Sequence, residues 1–324
     1  MSVKLDKNHE VNQNTLASVY SKYLLDGMAR NDKLMHVECD LGLSIVKYDI
    51  FEFAKSYPER FVDVGIQEAN AVGFACGLSH EGFVPYVHSF GPFASRRVAD
   101  QVFMAGAYSK SNVKIIGSDP GVVAMYNGGT HMPFEDIAIM RSIPEINIIE
   151  PCDNVSAAAL FPQVEATYGM FYVRLARKNV TNIYEEGSEF KIGKGNVLVD
   201  GKDVTIFASG VMVEESLKAA KLLEQQGVSA RIVDMFSIRP LDEELVVKCA
   251  KETGAIVTAE NHSVNGGLGD AVTRVVMDKC IVPVERIGVY EKFGQVGSME
   301  FLKEQYGLNA AAIAKAAITA ISKK

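Results

Sequence analysis

Short apolar runs rich in β-forming residues alternate with segments of helical length, and this alternation constrains the fold of the 324-residue chain most. Its first round places helical segments at 15–29, 67–80, 93–108 and 153–166, between strand-like runs at 33–41, 60–65, 84–90, 112–118, 146–151 and 170–176. Near-continuous apolar strands between helices predict a parallel sheet covered on both faces. Ligands of such sheets bind beyond the carboxyl ends of the strands.

The alternation breaks once, in a polar stretch with several glycines between residues 178 and 203. This composition predicts a linker that could hold one hairpin. A second round follows, with strand-like runs at 204–210, 229–236, 254–261 and 286–293 and helical segments at 213–227, 242–252, 267–279 and 309–322. We therefore predict an α/β protein of two domains, at 1–180 and 203–324 with a linker at 181–202, each a mostly parallel sheet with helices on both faces.

Charge and cysteine content narrow the class of protein. The formal net charge is −7 and no basic block is present, which argues against a nucleic-acid partner. The five cysteines are scattered without a Cys-x-x-Cys pair, a pattern typical of reduced thiols in a cytoplasmic protein. The first ten residues lack the apolar core of a signal peptide, and no apolar run approaches the ~18 residues of a membrane span. We expect a cytoplasmic protein without a membrane partner.

The segment from Phe61 to Gly82 predicts a strand, a glycine turn and a nearly all-apolar helix, with Glu68 where the helix begins. A carboxylate at a helix N-terminus is favoured by the helix dipole, so Glu68 could be purely structural. The apolar neighbours predict a helix buried on most sides, and Gly73 and Gly77 would let another element approach it closely. A carboxyl group in that setting is suited to give or take a proton, and spacing alone leaves both interpretations open.

Two further segments carry candidate site residues. Phe90 and Phe93 follow a strand end and could line a flat pocket, or could simply pack in the core, and Arg96 and Arg97 after them fit a solvated helix face. The glycine-rich segment 117–136 puts His131 on a tight turn but lacks the Lys-Ser/Thr of a phosphate-binding P-loop.

Two other segments could receive an anion. Near the end of the first domain, Arg174 or Arg177 could hold one, or could form a salt bridge at the domain edge. The segment 260–272, a strand end followed by a glycine turn and a helix start, is another possible anion site but does not match the dinucleotide fingerprint.

Taken together and in this order, the segments resemble thiamine-diphosphate enzymes of the transketolase family over nearly the whole chain. The resemblance rests on "DVGIQEANAVGFACGLS", "SFGPFASRRVADQ", "NGGTHMPFED", "LARKN" and "ENHSVNGGLG". It implies the pyrimidine-binding and C-terminal domains of that family, without the diphosphate-binding domain that holds Mg²⁺ and the diphosphate. The chain is therefore expected to be the C-terminal subunit of a split transketolase. Its expected partner is an N-terminal subunit, in a heterotetramer with two chains of each kind, and it could also self-associate through the same two domains.

The resemblance also implies roles for individual residues. Glu68 would hydrogen-bond the aminopyrimidine nitrogen of thiamine diphosphate, while His131 would contact the reacting sugar. Phe93 and Phe90 would pack on the pyrimidine ring, Ile66, in the same segment as Glu68, would be a further cofactor-binding residue, and Asp40 matches an acidic residue near the cofactor. Ser44, Asn127 and Arg177 match substrate-binding positions, with Ser44 and Arg177 as ligands of the sugar phosphate. The implied reaction moves a two-carbon ketol unit from a ketose to an aldose.

Several positions depart from the family pattern. Asn127 stands where aspartate is usual, and Ser118 and Asp119 stand in the region of a usual histidine. Arg96 replaces a common aromatic residue, and Asn14 or a neighbour lies where an arginine is expected. These positions concern the sugar, so the expectation is retained ketol-transfer chemistry on a substrate other than the standard pentose phosphates.

Three alternatives remain at this level. A 2-oxoacid dehydrogenase β-subunit has the same two domains, but its usual Gln-His-Ser and Pro-Ser-Thr-Pro segments are replaced by Gly129-Thr130-His131 and "EPCDNVSAA". A deoxyxylulose phosphate synthase is normally a single fused chain. A non-catalytic relative is disfavoured by the retention of Glu68 and His131.

Overall fold

The computed structural model describes residues 2–41 and 54–324. Its strands in chain order are β1 Leu34–Glu38, β2 Phe61–Asp63, β3 Val84–Phe90, β4 Lys114–Ser118, β5 Asn147–Ile149, β6 Phe171–Leu175, β7 Asn196–Val199, β8 Val204–Ala208, β9 Ala230–Asp234, β10 Ser237–Arg239, β11 Ile256–Ser263 and β12 Val284–Val289. Within the described ranges, seven strands form one sheet in the order β10-β5-β6-β4-β3-β1-β2, and five form a second in the order β12-β11-β8-β9-β7.

Helices connect most of these strands. They are α1 Leu16–Arg30, α2 Glu68–His80, α3 Ala99–Gln101, α4 Asp136–Ser142, α5 Asn154–Ala166, α6 Met212–Glu224, α7 Glu243–Thr253, α8 Leu268–Lys279, α9 Met299–Tyr306 and α10 Ala310–Ile321. A 3₁₀ turn at Arg96–Val98 precedes α3, a π-helix at Val102–Tyr108 continues it, and a second 3₁₀ segment spans Gly121–Asn127. None of the helices in the described residues is long and apolar enough to cross a membrane.

The predicted fold class is confirmed, since both sheets are mostly parallel. In the first sheet β1, β2, β3, β4, β5 and β6 pair in parallel, and in the second β8, β9, β11 and β12 do. Because neighbouring residues of a strand point to opposite faces, β4 gives Ile115 to one apolar cluster and Ile116 to another. The first sheet is thus covered on both faces, as near-continuous apolar strands require.

Two edge strands run antiparallel and were not predicted. Strand β7 lies inside the segment 181–202, where we predicted a linker with room for a hairpin. It pairs with its neighbour β9 at one edge of the second sheet. Strand β10 follows β9 in the chain but pairs with β5 of the first sheet. A strand from the second half of the chain thus forms one edge of the first sheet. The boundaries of the two domains stay a prediction.

A buried ion cluster joins the two sheets around Arg174 in β6. Its Nε donates to Asp136 at 2.8 Å, its Nη1 to Glu150 at 2.6 Å and its Nη2 to the carbonyl of Asn261 in β11 at 3.0 Å. Asp136 and Arg174 are fully buried. Arg174 is thus a structural salt-bridge residue, one of the two roles that its sequence position left open.

Helix α2 is less buried than its apolar sequence predicts. Ala71, Val72 and Ala75 pack in the core, but Phe74 is 39% exposed and a side chain added at Gly73 or Gly77 would meet no atom within 4 Å. The lower burial has a physical reason: α2 packs on the sheet mainly through β3, so only the side of the helix that is turned toward the sheet is covered. The other face of α2 is open in the single chain.

Candidate active site

Glu68 lies at the first position of α2, beyond the carboxyl end of β2. The chain leaves β2 through Gly65, whose φ of 74° suits glycine, and then starts the helix. The carboxylate is buried, and it accepts hydrogen bonds from Ser89 Oγ at 3.2 Å and from Arg97 Nη1 at 2.6 Å. The helix N-terminus and Arg97 together compensate the buried negative charge.

Three aromatic rings meet edge to face beside this carboxylate. The imidazole of His131 lies 5.2 Å from the Phe90 ring and 5.1 Å from the Phe93 ring, centroid to centroid, at interplanar angles of 77° and 74°. Two loops approach closely to allow this, since a side chain at Gly91 would come within 2.8 Å of Pro133. The fold therefore brings together His131, Phe90 and Phe93, which lie in separate segments of the sequence. We call these three rings the aromatic wall.

Arg97 connects the aromatic wall to Glu68. Its guanidinium carbon lies 3.9 Å from the centroid of the Phe93 ring, while Nη1 binds the Glu68 carboxylate. Sequence reasoning placed Arg97 on a solvated helix face. Its side chain is indeed 44% exposed, but its guanidinium group also contacts Phe93 and Glu68, which we did not predict. The four-residue spacing from Phe93 to Arg97 is a local signal for the contact between these two side chains, whereas the contact with Glu68 has none.

His131 is set up to act in its neutral form. Burial lowers its pKa below the ordinary value of 6.5, and the positive charges of Arg177 and Arg97 lower it further. Thr130 Oγ1 lies 2.8 Å from Nδ1 of the ring. A neutral imidazole at pH 7 can both donate and accept a hydrogen bond at its two nitrogens.

Arg177 lies on the other side of the wall, held by Asp119. Its Nε donates to Asp119 Oδ2 at 2.8 Å, Nη2 donates to the same oxygen, and its backbone N–H donates to Oδ1 at 3.1 Å. The guanidinium carbon lies 4.5 Å from the centroid of the Phe90 ring. Asp119 follows β4 directly and is fully buried in a left-handed conformation, with φ of 55°.

A buried polar network underlies the site, and sequence reasoning missed it. Glu38, at the end of β1, lies 3.1 Å from His36 Nε2 and 3.0 Å from His88 Nδ1, and His88 Nε2 lies 3.0 Å from Ser118 Oγ. Burial by itself raises the pKa of Glu38, but His88 and His36 outweigh it and hold the pKa below the ordinary range. An ionised Glu38 thus ties the carboxyl ends of β1, β3 and β4 together beneath the wall.

The other predicted site residues within the described ranges are Asp40, Ile66 and Asn127. Asp40 follows β1 in a left-handed conformation and its amide donates to Asp63 at 3.0 Å, while Ile66 is 68% exposed on the turn before α2. Asn127 is exposed at the end of its 3₁₀ segment, and Ser44 lies outside the described residues. The roles of these residues stay predictions. In the described ranges, no group of three or more His, Cys, Asp or Glu residues could hold a metal ion.

Comparison with known proteins identifies the family. Residues 16–182 match the family model for the transketolase pyrimidine binding domain, and residues 193–313 match that for the transketolase C-terminal domain. The chain is 45% identical to the 6-deoxy-6-sulfo-D-fructose transketolase subunit SqwH of a Clostridium species, over 95% of each chain. It is 38% identical to one of the subunits of the apulose-4-phosphate transketolase of Phocaeicola vulgatus, over 91% of this chain and 94% of that protein.

A solved structure supports the same assignment. The structure described as a split gene transketolase, inactive beta4 tetramer, aligns with a TM-score of 0.87 at 37% identity, covering 97% of this chain and all of that one. Both matching domain models and the named relatives favour a transketolase over the 2-oxoacid dehydrogenase β-subunit. The chain belongs to the transketolase family, as a C-terminal subunit of the split form.

Proposed function

We propose that this chain is one half of a thiamine-diphosphate-dependent transketolase that moves a two-carbon ketol unit from an anionic ketose to an aldose. The observation that carries the proposal is the buried Glu68 carboxylate beside the aromatic wall, at the carboxyl end of a parallel sheet. The family assignment supports ketol transfer as the reaction class, and we propose the cofactor and the substrate in addition.

The residues fit the aminopyrimidine ring of thiamine diphosphate. One planar group, the Arg97 guanidinium, contacts both the Phe93 ring and the Glu68 carboxylate, so a planar heterocycle of similar thickness can span the same two groups. The Arg97 side chain is 44% exposed and has room to turn into solvent when such a ring enters. When bound, thiamine diphosphate supplies the electron sink that lets the carbon–carbon bond beside a ketose carbonyl break.

Each side chain then has a defined task. Glu68 holds a proton against the ring nitrogen of the aminopyrimidine and so fixes the tautomer of that ring. Phe93 and Phe90 keep water from the ring faces, with Ile66 and Asp40 at the outer edge of the same pocket. His131, neutral at pH 7, hydrogen-bonds an oxygen of the reacting sugar.

The substrate end of the site faces Arg177. We assign this residue, with Asn127 and Ser44, to the distal end of the ketose. The names of two relatives support an anionic end group, since one names a sulfonated fructose and the other apulose 4-phosphate. A donor and acceptor other than the standard pentose phosphates fit the departures at Asn127 and Asp119.

The other half of the enzyme would come from a separate N-terminal subunit that holds Mg²⁺ and the diphosphate. Large apolar side chains are exposed on the turn before α2, on α2 itself and on the π-helix that packs against it: Ile66, Phe74, Phe103, Met104 and Tyr108. Such a patch on a water-soluble chain is typical of a subunit interface. A heterotetramer with two chains of each kind, and self-association of this chain alone, both fit this patch. The cytoplasm fits as location because all five cysteines are free.

The proposal is tested by reconstitution. The chain is mixed with the subunit that carries the diphosphate-binding domain, thiamine diphosphate and Mg²⁺, and two-carbon transfer is measured over a panel of ketoses and aldoses. We expect transfer only with both subunits and the cofactor present. A chain that binds its partner and cofactor but transfers no ketol unit from any ketose would instead be a non-catalytic relative.

A further inference from the structure

We propose that Asp119 is a specificity-determining residue, which makes the Arg177 position select a singly charged end group, such as a sulfonate, over a phosphate dianion. The inference rests on the proposed function, because it concerns the substrate end of the same site. It assigns to this chain the charge class of the ketose that it accepts.

The Asp119–Arg177 pair is built as a fixed unit. Asp119 is 0% exposed and the Arg177 side chain 9% exposed, and the carboxylate takes two side-chain N–H groups and the backbone N–H of Arg177. The backbone of Asp119 is also anchored, since its N–H donates to the Leu175 carbonyl at 3.0 Å. A non-glycine residue at φ of 55° costs free energy, which a functional site can retain when its surroundings enforce the conformation.

The pair leaves little net positive charge for a substrate anion. Among the described residues of this corner, Asp119 offsets Arg177, Glu68 offsets Arg97, and His131 is neutral at pH 7. A phosphate monoester carries about −1.5 to −2 charges at pH 7, whereas a sulfonate carries one. The buried Asp119 carboxylate is weakly screened, so its repulsion of the second phosphate charge is strong.

Asp119 could instead serve only to tie the ends of β4 and β6 together. The two roles predict different results, because a purely structural loss lowers activity toward all ketoses by the same factor. Only a charge-selecting residue changes the ratio between a phosphate and a sulfonate that are otherwise alike.

The test uses Asp119→Asn in the complete two-subunit enzyme. Asparagine also tolerates a left-handed backbone and keeps an oxygen for the Arg177 amide, but removes the charge. The probe pair is 6-deoxy-6-sulfo-D-fructose and fructose 6-phosphate, with one acceptor aldose. We expect the native enzyme to favour the sulfonate in kcat/KM, and Asp119→Asn to shift the ratio toward the phosphate by about tenfold or more.

Glu145→Gln is the matched control. It makes the same charge change in the same domain, at a residue that also has a positive φ, of 61°, and forms an exposed ion pair with Lys110. We expect it to leave the sulfonate-to-phosphate ratio unchanged. A shift equal to that of Asp119→Asn would mean that overall charge, not the site, sets the preference.

The pH dependence of the phosphate-to-sulfonate ratio of kcat/KM provides a second, independent test. Between about pH 7.5 and 5.5 the dianion of a phosphate monoester takes up one proton and becomes a monoanion, so the native enzyme's kcat/KM for the phosphate should rise relative to the sulfonate. The rise should be smaller in Asp119→Asn. Protonation of His131 over the same range adds positive charge in both enzymes, and Glu68, Arg97 and Arg177 are also common to both. The test is therefore the difference in this rise between the native enzyme and Asp119→Asn.

Inhibition by ethyl phosphate and ethanesulfonate, measured with whichever ketose the enzyme turns over, extends the test to binding. A native preference for the phosphate, or a ratio that Asp119→Asn leaves unchanged while activity falls, overturns the inference. An enzyme that transfers from no ketose at all refutes the proposed function instead, so the two failures are distinguishable.

Discussion

Two carboxylate–arginine pairs flank the same aromatic wall, and they differ in how firmly they are held. In the Glu68–Arg97 pair the carboxylate is 3% exposed but the arginine side chain is 44% exposed. In the Asp119–Arg177 pair both partners are buried, and a backbone N–H adds a third contact. The Arg97 side chain can therefore move into solvent, whereas the Arg177 side chain is enclosed by the protein.

The difference assigns the two pairs to different tasks. The Arg97 cation is screened by solvent, and an entering ring that itself hydrogen-bonds Glu68 replaces the contact that Arg97 gives up, so Arg97 can be displaced at a modest cost. Removing one partner of a buried pair costs about 3–5 kcal/mol, so Asp119 and Arg177 remain together during turnover. We infer that the first pair opens for the cofactor, while the second stays closed and acts on the charge of the substrate.

The largest expected effect comes from Glu68→Gln. Because glutamine cannot exchange a proton with the aminopyrimidine nitrogen, the rate of ketol transfer should fall by about 10²–10⁴-fold, while the subunits still assemble. The matched control is Glu135→Gln. Arg96 binds the Glu135 carboxylate at 2.6 Å, the same distance as in the Glu68 pair, but the Glu135 side chain is 36% exposed compared with 3% for Glu68. Comparable losses in both variants would assign the effect to general destabilisation.

Arg174 tests the cost of a fully enclosed pair. Arg174→Met leaves Asp136 and Glu150 buried without their counter-charge, and we expect the free energy of unfolding to fall by about 3–5 kcal/mol. Arg97→Gln removes a cation that is 44% exposed, and glutamine can still donate a hydrogen bond to Glu68, so its cost should be clearly smaller. Chemical denaturation of both variants measures the contrast, and equal losses would remove the basis for separating the two classes of pair.

Arg97→Gln should also affect cofactor binding. Because Arg97 covers the ring face and the carboxylate that the pyrimidine needs, its loss should lower the cofactor concentration for half-maximal activity by up to about fivefold. The measurement is a thiamine diphosphate titration of the reconstituted enzyme. Weaker binding would show that Arg97 is a cofactor ligand instead of a group that the cofactor displaces.

The smallest expected effect concerns His131. Arg97 is one of the charges that lower its pKa, so in Arg97→Gln protonation becomes easier and the pKa moves up toward 6.5. The acid side of the activity profile, where His131 becomes charged, should then shift to higher pH by a fraction of a unit. Arg96→Gln, one residue away, serves as control, and the ring resonances of His131 followed by NMR report the same shift.

The sequence predicted those parts of the site that lie in single segments. Glu68 at a helix start, Phe90 and Phe93 after a strand end, and His131 on a glycine turn were each indicated locally, and the parallel sheet brings their segments to one edge. The fold class followed from the alternation of strands and helices for the same reason. The functional roles of these residues remain predictions.

The missed features all depend on contacts between distant segments. Arg97 pairs with Glu68 across 29 positions and Arg177 pairs with Asp119 across 58, and neither spacing has a local signal. Strand β10 has only three residues, too few for a periodic pattern, and its partner β5 is about 90 residues earlier. Such pairings appear only when the whole sheet is assembled.

The most direct test of the account is the rate at which the cofactor's thiazolium C2 proton exchanges with deuterium, measured by quenched-flow NMR in the reconstituted enzyme. Because Glu68 is assigned to hold the aminopyrimidine in its proton-accepting form, exchange should be fast with the native chain and with Glu135→Gln. With Glu68→Gln it should fall toward the rate of free cofactor. Exchange that stays fast in Glu68→Gln, with the cofactor bound, would contradict the central claim that Glu68 activates thiamine diphosphate.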